Sequence, residues 1–225
     1  MKTDMEIKNI LNLIRISDSF FPMGTFAISQ GMEELIKYHK YSINEISNIV
    51  SLYMEKIWKT SDIKIFLLAQ RFVDGNNIQA IISLDKFAYS SKLTEELRIS
   101  STRMGRSLLN AIDIENYELF NKYILKVRND ESPCTYPIAL AFVSSYLNIR
   151  QLGITSIIYT NLIETIAALV RLGEIDYIEA QKILYDLISD GKFKIENVDQ
   201  ISQSFPAVDI YSMIHENDSS RMFIS

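Results

Sequence analysis

The stretch ITSIIYTNLIETIAALVRL, residues 154–172, is apolar on nearly every side, and its reading decides the fold class. A helix that faces water keeps a polar face, so a helix without one is surrounded by others. The stretch is read as the central helix of an all-α bundle. That makes its polar members, Tyr159, Asn161 and Glu164, core or interface groups. Burying an amide or carboxylate without partners costs about 1–3 kcal/mol or more. Asn161 and Glu164 are therefore predicted to hydrogen-bond inside the bundle or across an oligomer interface.

Helical periodicity continues on both sides. MEIKNILNLIRI puts Ile7, Ile10, Leu11 and Ile14 on one stripe, and SDSFFPMGTF ends that helix near Ser17, because Pro22 lacks an N–H and Gly24 permits unusual dihedrals. SINE at 42–45 reads as a capping box that opens a long helix with Ile46, Ile49, Val50, Tyr53 and Ile57 facing inward. Thr94 opens TEELRISSTRMGRSLLNAI with acids in the first turn, where the helix dipole favours them. Pro137 suits the first position of PIALAFVSSYLNI. IEAQKILYDLI ends at Gly191, and IENVDQISQ reads as a short helix ending before Pro206. The expectation is a single all-α domain over 1–225 with about nine or ten helices, whose tail 205–225 docks on the bundle or stays mobile without a partner.

Composition narrows the function. The chain has 225 residues with only 7 Gly and 4 Pro, too few tight-turn sites for a many-stranded fold. A net charge of −5 disfavours binding to a phosphate backbone, which needs a basic face, so nucleic acid is not an expected partner. Cys134 is the only cysteine, which fits a reducing, cytoplasmic setting and excludes an intramolecular disulfide or a thiolate cage. MKTDMEIKNI carries acids where a signal peptide would place an apolar core, and no run reads as a membrane span.

The closing MIHENDSSRMFIS holds residue types of hydrolases without their spacing. A zinc protease needs a histidine four residues after His215, and position 219 is serine. No nucleophile elbow surrounds Ser219 or Ser220. With two histidines and one cysteine the chain lacks the ligands of a self-sufficient transition-metal site, although a metal bridged between two copies through His215 stays open. No GxxxxGK[ST] or GxGxxG loop offers a nucleotide site. Cys134 reads as a small buried hydrophobe rather than a reactive thiol. Arg103 and Arg106 lie one turn apart and suit an anion clamp, an arginine finger for a partner's nucleotide, or a solvated face.

Two segments together resemble the UreF family of urease accessory proteins. SDSFFPMGTFAISQGMEELI is similar to its N-terminal signature through Asp18, Ser19, Pro22, Gly24, Phe26, Ser29, Gly31, Met32 and Glu33. DIYSMIHENDSSRMFIS is similar to its C-terminal signature through Asp209, Ser212, Met213, His215, Glu216, Ser220, Arg221, Phe223 and Ser225. The chain departs from the family where Thr25 replaces Gly, near Ile28, where Thr135 replaces His before Tyr136, and where EIDY at 174–177 replaces P-L-G-Q beside the family's dimer-forming helices.

The resemblance implies an all-α homodimeric adaptor that is not an enzyme and holds no tight cofactor. Its partners would be UreD (also called UreH), the GTPase UreG and apo-urease, with nickel handled by the complex. It also implies that the matched signature residues bind partners: the C-terminal set orders against UreD, and the segment around Phe26 helps recruit UreG. Two alternatives stand beside the adaptor: a direct regulator of the GTPase, and a nickel-carrying chaperone using His215 at a dimer interface.

Overall fold

A computed structural model describes residues 2–23, 29, 31–37, 39–191, 193–196, 198–203, 205–217 and 222–223. Among these the chain is all-α, with no strand. The helices are α1 (Lys2–Ser17), α2 (Met32–Lys37), α3 (Ile43–Tyr53), α4 (Ile63–Asp74), α5 (Ile78–Ser90), α6 (Glu95–Ala111), α7 (Glu118–Arg128), α8 (Tyr136–Tyr146), α9 (Gly153–Arg171), α10 (Tyr177–Asp190) and α11 (Pro206–Glu216). A π-helix, Met54–Asp62, joins α3 to α4, and helical dihedrals persist through both junctions, so the three form one rod.

Local sequence sets most boundaries. Ser42 and Glu45 cap each other at the start of α3, with Ser42 N–H donating to Glu45 Oε2 at 2.8 Å. Thr94 Oγ1 accepts from Leu97 N–H at the start of α6, and Gly191 ends α10 in the left-handed region that glycine adopts without penalty. Asp176, in the EIDY segment that departs from the family pattern, makes a second capping box, accepting from Ile178 and Glu179 N–H while Glu179 accepts from Asp176 N–H, each at 2.8 Å.

The encircled helix is α8, not α9. All ten residues Tyr136–Ser145 are buried, between α4 and α6 among others. In α9 the face opposite the core leaves Tyr159 42% exposed, while Asn161 and Glu164 lie inside. The 154–172 stretch thus marks a core helix that is covered on most sides instead of all. With the preceding turn, Arg150–Arg171 is long and apolar enough to cross a membrane by length and composition, and about two thirds of it is buried inside the bundle.

One further expectation fails. Residues 195–203 form no helix among their described members; they lie across the α3–α4 rod, where Ser202 N–H donates to Thr60 O at 3.0 Å and Ser61 Oγ donates to Gln203 Oε1 at 3.2 Å. Those contacts satisfy polar groups that a short isolated helix would have to satisfy alone. The α1 stripe is present as the sequence predicts, and it faces outward. Asn9, Asn12 and Leu13 are half-buried and Ile16 and Ser17 buried toward α9, while Ile7, Ile10, Leu11 and Ile14 are 51–60% exposed. At about 100° per residue these two sets lie on opposite sides of the helix.

A buried carboxylate ties the middle of the bundle together. Asp85 on α5 is fully buried and accepts from Tyr123 Oη, Ser132 Oγ, Cys134 N–H, Thr135 N–H and Thr135 Oγ1 at 2.6–2.9 Å. This locks the loop that launches α8. Burial, with Asp85 beside it, pushes the Cys134 thiol up to about 12, so the cysteine is an inert core residue, as its sequence setting predicts.

Candidate functional site

The two signature segments, nearly two hundred residues apart in sequence, meet at one end of the bundle. Gly31 adopts φ +80°, and a Cβ there would lie 2.8 Å from Ser212 Oγ, so only glycine lets α2 approach α11 this closely. Pro206 starts α11 because its missing N–H costs nothing in the first turn. The helix then presents Val208, Asp209, Ser212 and His215, spaced three or four apart, to the body. Burial raises the Asp209 carboxyl above the usual range.

His215 is the centre of the site. It is fully buried, with Nδ1 at 2.9 Å from both oxygens of Glu96 on α6 and Nε2 at 2.9 Å from Glu33 Oε2 on α2. A neutral imidazole has one N–H, and here each nitrogen faces a carboxylate, so the arrangement is satisfied only by the doubly protonated ring. The Glu96 hydrogen bond chiefly raises the His215 pKa, Glu33 adds to it, and burial opposes it. Glu33 also accepts from the Met222 and Phe223 N–H groups, at 2.6 and 3.0 Å. Glu216 Oε1 accepts from Glu96 N–H at 3.0 Å, at the N-terminus of α6. Phe223 is buried beneath the Arg171 guanidinium, which stands 4.6 Å over its ring.

The sequence-derived site residues therefore divide. Ser29, Gly31, Glu33, Asp209, Ser212, His215, Glu216 and Phe223 build this junction, and most of them are buried within the chain itself. A direct partner contact through His215 is corrected: its edge is covered and both nitrogens are spent on carboxylates, which leaves no lone pair for a metal in this arrangement. Asp18 and Pro22 are exposed, and Asp18 closes a turn by accepting from Phe20 N–H at 2.7 Å. Gly24, Phe26, Ser220 and Arg221 lie outside the described residues. Arg103 and Arg106 are exposed on α6, with Asp130 4.0 Å from Arg106. Among the described residues no three histidine, cysteine or carboxylate side chains converge as a metal site.

Glu96 and Arg171 escaped sequence reasoning. Glu96 carried a signal only as an acid in a first helical turn, and nothing local shows that it faces a histidine 119 positions later.

The UreF family model matches residues 42–188, the helical body between the two signature segments. The chain is similar to the urease accessory protein UreF of Photorhabdus laumondii, 28% identical over 96% of this chain and 99% of that protein. It is 26% identical to urease accessory protein UreF 1 of Brucella melitensis, over 97% of this chain and 94% of the relative. UreF of Yersinia enterocolitica is also 26% identical, over 97% of this chain and 99% of its own length. Those alignments span both ends as well as the body, and the chain belongs to the UreF family of urease accessory proteins.

Proposed function

We propose that this chain is a non-catalytic adaptor of urease metallocentre assembly, working in the cytoplasm as a homodimer that bridges UreD (UreH) and the GTPase UreG on apo-urease while nickel is delivered. The observation that supports it most is the α1 ridge. Ile7, Ile10, Leu11 and Ile14 point away from the body, and Phe20 in the signature turn is 95% exposed. An exposed row of large apolar side chains marks a protein-binding surface. The Glu33–His215–Glu96 junction holds α2, α11 and the tail residues Met222 and Phe223 against α6, while α1 packs on α9.

The experiment is co-purification of tagged chain with UreD and UreG homologues from the same source, comparing wild type with Ile10→Asp/Ile14→Asp. The double variant is expected to lose capture of UreD or UreG while keeping the helical circular dichroism of wild type. Full capture by the variant removes α1 from the reading, and failure of wild type to form any complex overturns the adaptor. For a GTPase-regulating role, Arg103→Ala and Arg106→Ala are the variants to measure. An inserted arginine finger predicts a loss of orders of magnitude in stimulated GTP turnover, and a scaffold predicts little change.

A further inference from the structure

The π-helix Met54–Asp62 has no role in the junction just described, and nine residues is long for a form seen mostly as single-turn bulges, frequently at functional sites. Its effect is to rephase the rod. In a continuous α-helix Glu55 and Lys64 would face roughly opposite directions, nine residues being about 180° out of step. At about 4.4 residues per turn through the π segment, Glu55, Lys59, Thr60 and Lys64 come onto one side. They do share an open pocket of about 450 Å³, lined on the other side by Lys194, Ile195 and Glu196. The pocket lies between the rod and the segment that crosses it.

Its charges are arranged unevenly. Lys59 pairs with Glu55 at 2.8 Å and Lys194 with Glu196 at 2.9 Å, so four of the five charged groups cancel. Three lysines less two glutamates leaves one positive charge, and it belongs to Lys64. Lys64 is only 8% exposed, and the hydrogen bond it makes runs from Nζ to Gln200 O at 2.6 Å. Among the described residues no carboxylate lies within ion-pair distance of it. A lysine this buried is almost always paired, because an ammonium withdrawn from water is costly without a counter-charge. Among the described residues Lys64 Nζ spends one of its three N–H groups, and Lys64 lines the pocket.

We propose that this pocket binds a small organic oxyanion, a carboxylate- or phosphate-bearing molecule whose negative group accepts from Lys64 Nζ. The volume falls in the small-molecule range and is far larger than a bare phosphate needs. Thr60 Oγ1, which donates to Lys56 O at 2.6 Å, keeps acceptor capacity for a donor group on the ligand. The Glu55–Lys59 and Lys194–Glu196 pairs give the rim both signs, suited to further polar groups on the same molecule.

The test is isothermal titration of the full chain at low ionic strength with citrate, and separately with inorganic phosphate. One saturable citrate site is expected, weakened at least tenfold in Lys64→Met and largely kept in Lys64→Arg. Lys59→Met, on the better-exposed wall, serves as a second variant should Lys64→Met fail to fold, and it is expected to weaken citrate by a smaller factor. Absence of saturable citrate binding by wild type, or binding unaltered in Lys64→Met, overturns the site. Phosphate bound as tightly as citrate overturns the organic ligand and reduces the pocket to a bare oxyanion hole.

Discussion

Asp85 and His215 are both fully buried polar hubs, and they hold the molecule in different ways. Asp85 is surrounded by neutral donors, hydroxyls and backbone N–H groups, within the middle of the bundle. His215 is held between two carboxylates on different helices at the end where the signature segments meet. The first hub needs no titrating partner to stay satisfied near neutral pH. The second holds only while the imidazole carries its second proton. The core is thus held by neutral donors, while the end that carries the tail depends on the second proton of one imidazole.

Substitutions at the two hubs test that contrast. Asp85→Ala leaves five donors in the core without their acceptor and is expected to cost about 3–5 kcal/mol, with Tm lower by roughly 6–20 °C; urea denaturation checks it. His215→Ala is expected to cost about 2–3 kcal/mol, because Glu33 and Glu96, whose side chains are only 12% and 7% exposed, lose their shared cation. Its signature is local. Hydrogen exchange should accelerate in α11 and the neighbouring tail while α8 stays protected. Equal acceleration in α8 would show that the two hubs are one cooperative unit.

A pH titration sharpens the comparison with a smaller effect. The folded pKa of His215 is raised above its ordinary 6.5, so its contribution is fully present below about that pH and is lost as pH rises through the raised value. Alkaline conditions should therefore loosen α11 in wild type, as read by hydrogen exchange or tail proteolysis, and His215→Gln should flatten that dependence. The smallest effect belongs to α1. Ile10→Asp/Ile14→Asp changes side chains already 52% and 54% exposed, so the isolated chain should shift by no more than about ±0.5 kcal/mol. A larger loss would mean that α1 is covered in solution.

Most helix boundaries were legible because they rest on short-range chemistry. The Ser42–Glu45 box, Thr94, Pro137, Gly191 and the stop at Ser17 each act within a turn or two of their own position. IENVDQISQ was misread because its polar groups are satisfied by the rod, through Thr60 and Ser61, and not by neighbours in sequence. The stripe of α1 was legible as a stripe, but periodicity does not tell whether the body or a partner covers it.

The sequence by itself determined the all-α class, the capped helices and the two signature segments, since propensity, capping and hydrophobic period are written in adjacent residues. Only the tertiary structure decided that α8 is the encircled helix, that Glu96 and Glu33 grip His215 from both sides, and that a π-helical turn brings Lys59 and Lys64 into one pocket. Each of those depends on the rotational phase and approach of helices far apart in the chain, and packing sets these through many weak contacts that no local pattern encodes.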